Sequence, residues 1–245
     1  MRPIRIFISL SVLLLFSQFT AAQTADEVID KYVTAVGGMD KLQSVKTAKI
    51  TGKMINANFE IPFARTLKVP DKIYIEMTMQ GMTMKQGCDG TTDWMINPFM
   101  GKKDPEKLTE GQTKMMKEQA DFEGKFVNYK DKGCSAELEG KDTVEGAEAY
   151  KIKLTDKDGD VSHYYIDAST YLLLRESSTM KVKDKEVSTD AYYTDYKPVD
   201  GTLIPMTIQV KTSTKGMGEQ KIVLDAVELN VAVDDSIFKM PEIKQ

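Results

Sequence analysis

Few reactive side chains stand in these 245 residues: one histidine and two cysteines. His163 sits in a strand-like run, Val161 to Asp167, and no serine or cysteine can be tied to it as a nucleophile. It reads as a structural or surface histidine. Asp156, Asp158 and Asp160 resemble the first half of a calcium loop. Such a loop needs glycine at its sixth position, and here Gly159 is at the fourth. The run reads instead as a hairpin turn. No Cys/His cluster has zinc spacing, and there is no glycine-rich phosphate loop and no nucleophile elbow. Among 37 acidic residues nothing singles out a pair for glycosidic chemistry. Catalytic residues, metal ligands and cofactors are therefore not expected.

Methionine is the unusual component, with 15 in the chain. Met77, Met79, Met82, Met84, Met95, Met100, Met115 and Met116 crowd into one short stretch. The thioether is flexible and polarizable, and suits surfaces that re-pack around varied apolar partners. Plain core filling is the competing reading.

The elements that must position these residues follow from hydrophobic periodicity. Thr24 and Glu27 form a capping box, Val28, Ile29, Tyr32, Val33 and Val36 recur at helical spacing, and Gly37-Gly38 ends the helix. A short second helix covers Met39 to Ser44. From Lys46 the period becomes two, with runs at 46–52, 57–69 and 73–79, and a turn at Gly81 before Met82 and Met84. Residues 104–121, opened by Pro105, read as an amphipathic helix with Leu108, Met115, Met116 and Gln119 on one face. Strand-like runs return at 126–131, 134–139, 148–155, 161–167, 170–180, 186–197, 203–212 and 218–230. An antiparallel sheet of this length must curl. The expectation is mainly β, one domain over 24–245: a barrel or half-barrel with helices placed on or in it.

Residues 1–23 read as a secretory signal peptide. Arg2 and Arg5 precede the apolar run Ile6 to Phe16, and Thr20, Ala21 and Ala22 supply a small-residue cleavage site. Export would put the mature chain where disulfides persist. Closing the 46-residue separation of Cys88 and Cys134 would contribute roughly 4 kcal/mol on the chain-entropy model; the spacing leaves open whether they pair. The net charge of −4, more acidic once the signal's two arginines are gone, does not suit nucleic acid or anionic headgroups.

Five segments, in order, resemble the periplasmic lipoprotein carrier and outer-membrane lipoprotein-sorting (LolA-like) family. They are LKVPDKIYIEM (67–77), DGTTDWMINPF (89–99), YYIDASTYLLLRESS (164–178), DYKPVDGTLIPMTIQV (195–210) and VAVDDSIFKMP (231–241). The resemblance implies a half-open antiparallel β-barrel of about 11 strands, with helices across its mouth and acyl chains bound in the concave face. It further implies a monomer of the periplasm that performs no catalysis. Such a carrier takes lipoproteins from an inner-membrane ABC transporter and hands them to an outer-membrane receptor. The chain departs from the pattern at Val69, where the carrier has the arginine that ties its lid shut. The residues expected to line the site are Ile75, Met77, Met79, Met82, Met84 and Trp94 on the sheet, and Leu108, Met115 and Met116 on the lid. Acidic substitution of Met79 or Met84 would then abolish lipid uptake. The rival functions are an envelope lipid sensor, a structural envelope protein and a lipid or glycan hydrolase.

Overall fold

The computed structural model describes residues 23–56, 59–182, 185–213 and 218–243. Most of the segment read as an export signal, residues 1–22, lies outside the described residues.

Helix α1 (Ala25–Ala35) begins at the expected box: Thr24 Oγ1 accepts from the Glu27 amide at 3.2 Å, and the Thr24 amide donates to Glu27 Oε2 at 3.1 Å. It ends at Gly37, whose φ is +131° and where a Cβ would lie 2.7 Å from the Gly201 carbonyl oxygen. The bare backbone lets the end of α1 lie directly on the turn at 200–201, and the Leu203 amide donates to Val36 O at 2.9 Å. Helix α2 (Met39–Ser44) follows.

Six strands come next: β1 (Thr47–Ile55), β2 (Glu60–Lys68), β3 (Lys72–Met79), β4 (Met82–Cys88), β5 (Asp93–Asn97) and β6 (Lys102–Lys107). Helix α3 (Glu110–Ala120) separates them from β7 (Ser135–Val144), β8 (Ala147–Thr155), β9 (Val161–Asp167), β10 (Leu173–Val182), β11 (Lys185–Val199), β12 (Thr202–Thr212) and β13 (Gln220–Leu229). All belong to one antiparallel sheet in the order β6-β5-β4-β3-β2-β1-β13-β12-β11-β10-β9-β8-β7. The sheet has 13 strands rather than about 11, and it is open, as a half-barrel requires.

This order dictates where α3 lies. The first meander runs outward from β1 to the edge strand β6, and the second starts at the opposite edge, β7, and works back until β13 pairs with β1. The chain between β6 and β7 must therefore cross the whole sheet. Two buried apolar clusters mark the covered face. In one, Val28, Ile29 and Val33 of α1, Val36 at its C-terminal cap and Leu42 of α2 pack on Tyr150, Ile152, Leu154, Tyr164, Ile166 and Leu173. In the other, Met116 and Ala120 of α3 pack with Ala48, Ile50, Leu67, Ile73, Ile75, Leu224 and Leu229. Each fully buried aliphatic side chain contributes about 1.5–3 kcal/mol, so these layers anchor both helices to the sheet.

Two local expectations are corrected. Pro105 does not open a helix: it lies in β6, an edge strand, where a missing N–H is tolerated. Helix α3 starts later, after Thr109, whose amide donates to Gln112 Oε1 at 2.9 Å. Residues 126–131 are not a strand but a turn, with Asn128 at φ +51°. Phe126, Val127 and Tyr129 in it still pack under α1, which explains their strand-like apolar alternation.

Candidate functional site: a cavity between the sheet and its helices

Strand parity decides which side chains face the helices. Ile50 on β1 stands opposite Arg65 on β2, which stands opposite Ile75 on β3. Directly paired residues share a face, so Phe63, Arg65 and Leu67 project toward α3 with Ile73, Ile75, Met77 and Met79. On the next hairpin Met77 pairs with Met84 and Met79 with Met82. The expected grouping of these four methionines on one face is correct.

A cavity of about 340 Å³ lies between this face, the last turn of α1 and the C-terminal end of α3. Its apolar walls include Val36, Leu42, Ile50, Leu67, Leu173, Ile204, Ile208, Leu224 and Val227. Phe122 and Gln119, at and beyond the end of α3, form its roof with Glu118, Asp121 and Glu123. Tyr32, Tyr193 and Tyr196 supply aromatic wall. The volume is at the small end of the roughly 300–1,000 Å³ typical of ligand pockets.

Among the polar side chains that line it, two have a buried atom without a hydrogen-bond partner, the Thr202 hydroxyl and Arg65 Nε. Glu176 accepts from Tyr164 Oη at 3.0 Å and Tyr193 Oη at 2.9 Å. Burial, reinforced by this carboxylate, holds both phenols well above their ordinary pKa. Tyr196 Oη donates to Leu173 O at 2.8 Å. Burial pushes the Tyr32 phenol up to about 12. Glu118 pairs with Lys125 at 3.1 Å, and Asp121 with Lys132 at 2.7 Å. Of the two unpartnered groups, Arg65 is the charged one, and its Nε is shut off from solvent. Desolvation lowers its pKa.

None of the nine residues expected to line the site borders this cavity. Ile75, Met77, Leu108 and Met116 do come together, as the contact by which α3 closes on β3 and β4. Met79, Met82 and Met84 continue that face toward the hairpin tip, where Met82 is exposed. Two assignments are corrected. Met115 is 55% exposed, whereas its neighbour Met116 is 2%: adjacent helical residues diverge by about 100°, and only Met116 points at the sheet. Trp94 lies on the opposite, outer face. It pairs with Gly87, itself opposite Tyr74, and its Nε1 donates to Phe238 O at 2.8 Å. A Cβ on Gly87 would meet the Trp94 ring at 2.4 Å, so glycine is what lets the indole lie flat there.

The other sequence candidates resolve structurally. Cys88 and Cys134 are free thiols in the structure: Cys88 is buried in the cluster under α3, while Cys134 packs at the margin of the cluster under α1. His163 lies 3.4 Å from Glu139. Asp156 Oδ1 accepts from the amides of Asp158 and Asp160, both at 2.9 Å, which makes the run a hairpin turn. Its carboxylates tie α3 to the β8–β9 turn: Lys114 Nζ is 2.7 Å from Asp160 and 3.0 Å from Asp158. Sequence reading missed Arg65, Ile204, Ile208 and the tyrosines as lining residues. The available signal was an arginine at an apolar-parity position in β2.

A family model described as "-like: Uncharacterized protein" matches residues 80–245. The chain belongs to that family. No curated protein matches it by sequence. In structure, the family member described here is similar to a DUF1329 family protein from Desulfovibrio piger, with a TM-score of 0.59, 13% identity, and 88% of this chain and 97% of that one covered. It is equally similar to a LolA superfamily protein from Nitrosomonas europaea, with a TM-score of 0.59, 14% identity, and 89% and 98% coverage. A domain assigned to outer membrane lipoprotein sorting, from Vibrio parahaemolyticus, follows with a TM-score of 0.55, 11% identity, and 87% and 95% coverage. The fold is thus shared with structures of the LolA superfamily and of lipoprotein-sorting domains, the half-open antiparallel sheet that the sequence motifs implied.

Proposed function

We propose that this protein is an exported carrier that shelters an acyl chain, of a lipoprotein or another lipid, in the cavity under α1 and α3, and makes or breaks no bond. The observation that carries the reading is the apolar cavity of about 340 Å³, roofed by the end of a helix that only two buried side chains, Met116 and Ala120, and a partly exposed salt link hold to the sheet. An acyl chain of about 15 methylenes gains roughly 12 kcal/mol on leaving water, at ~0.8 kcal/mol per CH₂. A shuttle must offer that refuge and still release it, which a roof that opens at modest cost allows.

The fold shared with LolA-superfamily structures supports the lipid reading. Residues 1–23 serve as the export signal in this reading, and 24–245 form the working domain in the periplasm. Handover partners are a membrane transporter on one side and an outer-membrane receptor on the other.

The test is uptake of a neutral environment-sensitive dye, N-phenylnaphthylamine, and its displacement by lipid. Ile204→Trp, which fills the cavity, should abolish uptake with the thermal midpoint little changed. Met79→Asp, on the same face but beyond the cavity, should leave uptake intact. Loss in Met79→Asp with survival in Ile204→Trp would put the site at the methionine hairpin and contradict the reading.

A further inference from the structure

Resting on the lipid reading above, we infer that the cavity selects a single-chain amphiphile with an anionic head, a carboxylate or a phosphate monoester, held by the Arg65 guanidinium. Arg65 is a cation set in an apolar wall. Its β-sheet neighbours are Ile50 and Ile75, and Phe63 and Leu67 flank it on its own strand. It lines the cavity as a half-buried residue, its Nε has neither solvent nor a partner, and no ion pair to it is present among the described residues, so its charge is left facing the cavity alone. Burying a charge without a partner is strongly unfavourable, and such sites persist where something else supplies the counter-charge.

The carboxylates nearby do not fill that role. Glu118 is taken by Lys125 and Asp121 by Lys132, and Asp121 also accepts from the Gly124 amide at 3.2 Å. Glu176, behind the tyrosine wall, has its acceptors occupied by two phenols. Glu123, the remaining acid at the roof, makes no ion pair with Arg65. A guanidinium offers a planar fork that matches a carboxylate or phosphate bidentately, and in a dry setting such a pair is strong. The cavity volume suits one chain better than a multi-acyl lipid. A neutral ester or alcohol would leave Arg65 unpaired, so the site would reject it by the same penalty that unpaired buried groups impose elsewhere.

The experiment compares palmitate, hexadecyl phosphate and hexadecanol, of one chain length, as displacers of N-phenylnaphthylamine. Wild type should bind at least one of the two anions about ten-fold or more tighter than the alcohol, and the tighter anion identifies the head. Arg65→Gln should keep alcohol binding and lose the preference, Arg65→Lys should keep part of it, and Glu123→Gln should strengthen anion binding. Equal affinity for alcohol and anions in wild type overturns the inference, whatever the variants do. So does a preference that survives Arg65→Gln. If no chain of any head binds, the lipid reading itself falls. If the alcohol binds as well as the acids, that reading stands and only the role of Arg65 is wrong.

Discussion

Trp94 is the chain's single tryptophan, and its position on the outer face makes its emission a reporter of that face alone. Lipid loading should leave tryptophan fluorescence unchanged, whereas a Trp94 lining the cavity would shift or be quenched. Trp94→Phe orphans the Phe238 carbonyl and should lower stability by about 1–3 kcal/mol in denaturant unfolding, with dye uptake retained. The parity that excludes Trp94 from the cavity was readable: Met95 is its neighbour, and neighbours on a strand point to opposite faces. Arg65 was equally readable as an odd residue in an apolar series. What no sequence shows is that α3 would seat Met116 on Ile75 and leave the open space further along, beside β12 and β13. That depends on how two distant packing layers meet. The thiols belong to this scale as well. Burial pushes the Cys88 thiol up to about 11, so it should resist alkylation in the native state while Cys134 reacts, and the intact mass should not change on reduction. A two-proton mass gain on reduction would restore the disulfide.

At the scale of elements, α3 is the part that a carrier of this fold would have to move. Its face toward solvent is charged, it contacts the sheet mainly through Met116 and Ala120, and Lys114 ties it to the β8–β9 turn. The Lys114 link is exposed, so it should count for little in global stability while still governing opening. Lys114→Ala, or added salt, should speed dye uptake in stopped-flow fluorescence and barely move the unfolding midpoint. An unchanged uptake rate would show that the roof opens elsewhere. A second tether joins the short 3₁₀ turn Asp235–Phe238 to β2 and β3: Asp235 lies 2.5 Å from Lys68 and 2.9 Å from Lys72. Lys68 and then Lys72 hold the Asp235 carboxyl down to about 2. A depressed carboxyl stabilises the fold above its unfolded value of about 3.9, and loses that contribution as pH falls toward 2. Acid unfolding between about pH 4 and 2 should therefore weaken this tether, and Asp235→Asn should remove that component of the pH dependence, a difference that shrinks in high salt. The start of α3 was misread because Pro105 is equally at home in a helix's first turn and on a sheet edge, and only pairing with β5 decides between them.

For the whole molecule, the strand order explains why there is a covered concave face at all. One meander leaves β1 for one edge, the other returns from the opposite edge to β13, and the link between them has to cross the sheet. The half-barrel itself was legible in the succession of alternating runs and in the five family motifs, because both follow from local periodicity and turn chemistry. The closure of β1 on β13 was not, since it joins strands at opposite ends of the chain. The central claim is that the space enclosed by this arrangement holds a lipid chain. Its most direct test is native mass spectrometry of the protein purified without detergent from the cells that make it. The account predicts a bound mass equal to one single-chain amphiphile, lost in Ile204→Trp. Protein that arrives empty and then takes up neither dye nor fatty acid would contradict it.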